Sequence, residues 1–156
     1  MPVPLVTDEI RSFKFGLIHQ SEFRLTDSEI KLKKETVCLK TKEQLLFEKC
    51  MNAIKEKNKE EASKYATELY EIRKRINLFY NTILAIERVR IRIDSFCCDY
   101  THGSESRDRV LSKIKISVTL LRESYQKISP FLPDLSKQLN NECITLEGLL
   151  TGAILG

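Results

Sequence analysis

Residues 62–97, ASKYATELYEIRKRINLFYNTILAIERVRIRIDSFC, decide the fold. Within them Tyr65, Leu69, Ile72, Ile76, Phe79, Ile83, Ile86, Arg90, Ile93 and Cys97 alternate spacings of four and three, so they form one row along a helix. Arg90 is the only charge in that row, and a row so apolar needs a partner. Upstream, the polar run Lys55-Glu56-Lys57-Asn58-Lys59-Glu60 interrupts the pattern, and Asn58 with Glu61 three residues on has the spacing of a capping box that starts a helix. Before it, Leu25, Leu32, Leu39, Leu46 and Ala53 recur every seven residues, with Glu29, Thr36, Glu43 and Cys50 at the alternate positions. Two seams joined by a short polar turn predict a long antiparallel hairpin over about residues 24–97.

That register places Leu32 beside Ile83, Leu39 beside Ile76 and Leu46 beside Leu69. It brings Arg90 within a helical turn of Glu29 and Glu22, and Glu43 close to Arg73 and Arg75. At 1.5 Å per residue the hairpin is expected to be roughly 50 Å long. The second helix is also apolar away from its seam, at Leu78, Leu84, Val89 and Ile91, so one partner cannot bury it. Those four residues are expected either to lie under later helices or to be offered to a neighbouring copy.

The rest of the chain supplies the cover. Tyr100 to Arg107 reads as a loop, and Val110, Ile114, Ile116, Val118, Leu120 and Leu121 support a third helix over about 107–128. Ser129-Pro130-Phe131-Leu132-Pro133 stops it. A fourth helix over about 134–150 carries Leu135, Leu139, Ile144, Leu146, Leu149 and Leu150, followed by a tail at 151–156. At the other end, Met1-Pro2-Val3-Pro4 resists helix, and residues 1–20 read as an irregular or short amphipathic leader with Phe13 and Phe15. Its aromatics, with Phe23, suit either interfacial insertion or packing onto the bundle. One all-α domain over 21–150 is the expected fold class: 156 residues give one domain a sizeable core, and five Gly, four Pro and no Trp favour helices.

The formal charge of +4 comes from 26 basic residues interleaved with 22 acidic ones, without the dense basic stripe of a nucleic-acid binder. No apolar run approaches the roughly 18 residues of a membrane span, and no secretory signal is read at the N-terminus, so a cytoplasmic chain is expected. The five cysteines (Cys38, Cys50, Cys97, Cys98, Cys143) have no C-x-x-C spacing and only two His accompany them. They read as buried or partly buried thiols in a reducing compartment, with no metal site.

No Gly-rich phosphate loop, nucleophile elbow or H-E-x-x-H occurs. Glu60-Glu61 lie at a helix start and Glu68 and Glu71 on charged surface, where capping or solvation suits them better than acid-base work. No catalytic residue and no cofactor are expected. Basic residues on the first helix are more informative. Arg24, Lys31, Lys42 and Lys49 share one flank of the seam, and Lys33 and Lys40 the other. Each Lys or Arg near acidic headgroups contributes about 1 kcal/mol, so the rows could hold an anionic membrane. Solubilising charge is the plainer alternative, since Glu35 and Glu48 interrupt the rows.

Three strings carry a family resemblance: Leu46-Phe47-Glu48-Lys49-Cys50; Ala62-Ser63-Lys64-Tyr65-Ala66 with Glu68 and Glu71-Ile72-Arg73-Lys74; and Ala85-Ile86-Glu87-Arg88-Val89-Arg90-Ile91-Arg92-Ile93. Their order on a hairpin with a charged tip, over about Leu25 to Asp94, resembles the ESCRT-III superfamily, and most of all its archaeal cell-division branch, the CdvB group. The resemblance implies a subunit that polymerises with itself and with paralogues into curved filaments on the cytoplasmic face of a membrane, constricting necks in division or budding. It also implies a switch between a closed form, with later helices on the hairpin, and an open one. Longer members carry a C-terminal tail gripped by an AAA ATPase, often through a proline-bearing peptide. Pro130 and Pro133 lie between helices, so that motif is not carried onto them, and a short paralogue is expected. The alternative is a soluble helical-bundle adaptor that binds a protein partner through an exposed apolar helix face.

Overall fold

A computed structural model of the chain describes the backbone of residues 8–101 and 107–155 and the side chains of 16–97 and 109–151. Residues 1–7, His102 with the rest of 102–106, Gly156, and the side chains of Phe13, Phe15 and Cys98 lie outside the described residues. The described chain is all helical: α1 spans Asp8–Lys55, α2 Lys59–Thr101, α3 Arg107–Ile128 and α4 Pro133–Leu155.

α1 and α2 form the expected hairpin, and its turn is built from two caps set back to back. Lys57 N donates to Ile54 O and Asn58 N to Ala53 O, at 3.0 and 2.9 Å, a Schellman closure that puts Lys57 in the left-handed region at φ 59°. Asn58 Oδ1 then accepts from Glu61 N at 3.2 Å, capping α2. The reversal therefore takes only Glu56, Lys57 and Asn58, too few residues for any arrangement but an antiparallel one.

The hairpin is longer than about 50 Å. α1 has 48 residues and α2 has 43, so α1 alone extends about 72 Å. Residues 8–20 are the first turns of α1, not an irregular or separate short leader. The heptad row does not begin at Leu25: Ile18 stands seven residues before it, is 1% exposed, and is followed by buried Ser21 and Ser28 on the same side. Small hydroxyl residues carry the seam there, which an apolar count overlooks. Helix also runs through 151–155, so α4 absorbs most of the expected tail.

α3 packs on α2, α4 packs on α1, and α3 and α4 pack on each other, while the backbones of the diagonal pairs stay apart among the described residues. Arg24 reaches Glu142, Lys31 reaches Gln138 and Tyr125 reaches Asn140, pairings that run antiparallel. The result is an up-down-up-down four-helix square. Its core joins Ile18, Leu25 and Leu32 to Ile86, Val89 and Ile93, to Leu111, Ile114, Val118 and Leu121, and to Leu139, Cys143, Leu146 and Leu150. Not every apolar residue of the later helices turns inward: Ile116, Leu120 and Ile144 are exposed.

The square covers only part of the hairpin. The α3–α4 turn reaches α2 at Arg75, whose guanidinium lies 4.4 Å from the Phe131 ring centroid, and reaches α1 near Lys31 and Glu35. Beyond that level α1 and α2 continue alone as an arm of about 30 Å to the Lys57 turn.

Candidate assembly and membrane-facing surfaces

Seam residues of the hairpin divide by region. Leu32, Ile86 and Ile93 are fully buried, Leu69, Ile76, Phe79 and Ile83 nearly so, and Leu39, Leu46 and Ile72 are half-buried where only two helices meet. Arg90 completes the row with Glu29: Nη1 donates to Oε2 at 2.6 Å, and the Glu29 side chain is 4% exposed. Burial, then the nearby Glu87 carboxyl, push the Glu29 pKa up against Lys33 and Arg90, which pull it down. Glu22 is likewise raised, by burial and then by Asp94. Further along, Arg73 Nε lies 3.7 Å from Glu43 Oε2, whereas Arg75 is taken by Phe131 rather than Glu43.

The four residues expected to form one off-seam face of α2 do not behave as one. Val89 takes the first of the two expected places, under later helices: it is 0% exposed and belongs to the core of the base. Leu84 and Ile91 remain exposed at 50% and 60%. Leu78 and Leu84 line a groove between α2 and α3 with Leu120, bordered by Arg88, Glu123 and Lys127.

The basic rows of α1 are exposed, and the tertiary structure gives each a different neighbour. Arg24 Nη1 is 3.9 Å from Glu142 Oε1, and Lys31 Nζ is 3.1 Å from Asp27 and 3.4 Å from Gln138 Oε1, so this row borders α4. Its later members, Lys42 and Lys49, continue along the arm, where Lys49 Nζ lies 6.0 Å from the Tyr65 ring. Lys33 lies 3.7 Å from Glu87 and Lys40 sits 4.7 Å from the Tyr80 ring, so the other row borders α2.

Between the rows runs a face that the heptad reading missed. Phe23, Ile30, Val37 and Met51 stand seven or fourteen residues apart on the side of α1 opposite its seam, and with Leu45 they are all exposed, Phe23 at 76%. The signal was in the sequence as a second seven-residue repeat. It is weaker than the leucine row because Gln44 interrupts it and charges lie within it.

Cysteine chemistry is subdued. Desolvation lifts the Cys143 thiol to about 12, and desolvation followed by the charges of Glu22 and Asp94 lifts Cys97 to about 11. Both are protonated near neutrality and poorly nucleophilic. Cys50 is buried, its thiol 3.5 Å from Ala62 O across the hairpin, while Cys38 is exposed. Among the described residues no cluster of His, Cys, Asp and Glu is arranged to hold a metal ion, and no helix is long and apolar enough to cross a membrane. A scan of protein-family models and searches of curated proteins and of solved structures found no match to this chain.

Proposed function

We propose that this chain is an ESCRT-III-like subunit that self-assembles on the cytoplasmic face of an anionic membrane and constricts it in division or budding. The observation that carries the reading is the arm. Its two helices project from a well-packed base and leave Val37, Leu45, Phe47, Met51, Ile54 and Tyr70 exposed on a strongly charged rod. A free-standing rod gains nothing from so many exposed apolar side chains, whereas apolar residues set among polar groups suit protein or membrane contact. The basic rows from Arg24 to Lys49 support the membrane half of the reading, each cation adding a little salt-sensitive attraction. Paralogues are the expected co-assembling partners; the proline-bearing peptide by which longer members engage an AAA ATPase is not carried onto this chain.

Co-sedimentation with vesicles of anionic or neutral lipid, with electron microscopy of the pellets, tests this. Filaments and salt-sensitive binding to anionic vesicles alone are expected, with binding weakened by changing Lys31, Lys33, Lys40 and Lys42 to Glu while helicity is retained. Binding indifferent to lipid charge and salt would remove the membrane role. The groove at Leu78, Leu84 and Leu120 favours the second reading, an adaptor that docks a protein helix, if neither filaments nor vesicle binding occurs.

A further inference from the structure

We infer that the outer face of α1 is a self-complementary docking surface on which a second copy of this chain lies antiparallel, with its two-fold axis at Thr41. This deepens the self-assembly half of the reading above and is independent of the membrane half.

Outward from Thr41, the face reads nearly the same in both directions. Val37 stands four residues before it and Leu45 four after; Lys34 stands seven before and Glu48 seven after. Ile30 stands eleven before and Met51 ten after; Asp27 stands fourteen before and Lys55 fourteen after. These residues are exposed, and on a 100-degree wheel all but Met51, which lines up with Lys33 at the edge towards α2, share the side of α1 away from both α2 and α4. A two-fold contact brings residue i onto residue j and j onto i. In this register it therefore lays Val37 on Leu45 and Ile30 on Met51, and sets Lys34 against Glu48 and Asp27 against Lys55, twice each.

Charge decides the occupant. Apolar and charged side chains alternate along the face, and burying it against hydrocarbon would leave Lys34, Glu48 and Lys55 without an opposite charge. An antiparallel copy pairs every one with its opposite. A parallel in-register copy would set Lys34 against Lys34 and Glu48 against Glu48. Asp27 and Glu48 already have neighbours on α1, in Lys31 at 3.1 Å and in Gln44 Nε2, which donates to Glu48 Oε1 at 3.2 Å; both carboxylates stay exposed and can accept a second partner. The same two-fold keeps Arg24, Lys31, Lys42 and Lys49 of both copies on one side of the pair.

The test is charge exchange, read by sedimentation equilibrium of the full chain at low salt, with circular dichroism confirming unchanged helicity. The wild type is expected to dimerise with concentration. Lys34→Glu and Glu48→Lys are each expected to weaken the dimer roughly tenfold, because exposed pairs of opposite sign become pairs of like sign at both ends. The double variant, and an equimolar mixture of the two single variants, are expected to restore it to within about threefold. Thr41→Cys in a Cys38→Ser background is expected to cross-link to itself under mild oxidation. Association unaffected by either single variant, or unrestored by the double, overturns this two-fold while leaving self-assembly standing. A wild type that stays monomeric at all concentrations overturns both. Charge-dependent dimers that ignore vesicles keep the two-fold and end the membrane reading.

Discussion

The four-helix base and the two-helix arm are made from the same pair of long helices, yet they are held together differently. Every one of the largest fully buried side chains, from Ile18 to Leu150, lies in the base, and between Leu32 and Ile86 there is none. The arm relies on Cys50, Ala53 and Leu69, on half-buried Leu39, Leu46 and Ile72, and on its capped turn. A helix given one partner buries a narrow stripe; given two, it buries more than a third of its circumference. The lesson is that α3 and α4 make the base a core and leave the arm as surface carried on a stalk.

The sharpest way to break this comparison is to cut the same kind of side chain in both regions. Ile86→Ala in the base should cost about 2–5 kcal/mol in urea denaturation, since the side chain is fully enclosed and leaves a cavity. Leu46→Ala in the arm should cost about 1 kcal/mol, because the half-buried site already meets water. Equal losses would show that the arm is packed as tightly as the base.

Smaller effects come from the turn. Asn58→Ala removes the acceptor for Glu61 N and should cost about 1 kcal/mol. Amide exchange should then quicken along the arm and stay unchanged in the base, which uniform acceleration would contradict. Lys57→Gly should act oppositely and stabilise by about 0.5–1 kcal/mol, because glycine adopts the φ of 59° without the Cβ penalty. A destabilised Lys57→Gly variant would mean that the turn holds Lys57 by its side chain.

The gentlest probe is pH, and it addresses the base. Glu22, Glu29 and Glu142 are raised above the ordinary 4.5, each chiefly by burial, with Arg24 opposing the shift at Glu142. In the window between 4.5 and the raised values the folded chain holds more protons than the unfolded one. Stability contributed by these groups therefore grows as pH falls toward 4.5 and declines as pH rises through the folded values. Glu142→Gln should flatten this dependence in thermal melts between pH 4.5 and 7. An unchanged slope would remove Glu142 from the account.

Much of this was legible in the residues. The Leu32, Leu39 and Leu46 row, the Ile76 to Ile93 row and the Asn58 signal gave the hairpin and its turn. They also placed Arg90 near Glu29 and Glu43 near Arg73. Whether Val89 would be covered or offered to a neighbour stayed open, because a helix row facing a later helix looks the same, in sequence, as a row facing solvent or another copy. The start of α1 was placed late because Ser21 and Ser28 carry the seam without adding to an apolar count. The outer face of α1 was hidden for a related reason: its apolar repeat is diluted by the charges that give it a two-fold pattern.

By itself the sequence determined that the chain is helical, that its first two helices fold back on each other, and where they turn. Those follow from period, capping and turn length, which act over a few residues and are written locally. Only the tertiary structure decided how far α3 and α4 reach along the hairpin, which apolar residues they take and which they leave. That outcome depends on several surfaces competing for one another at once, and no single segment encodes the result of that competition.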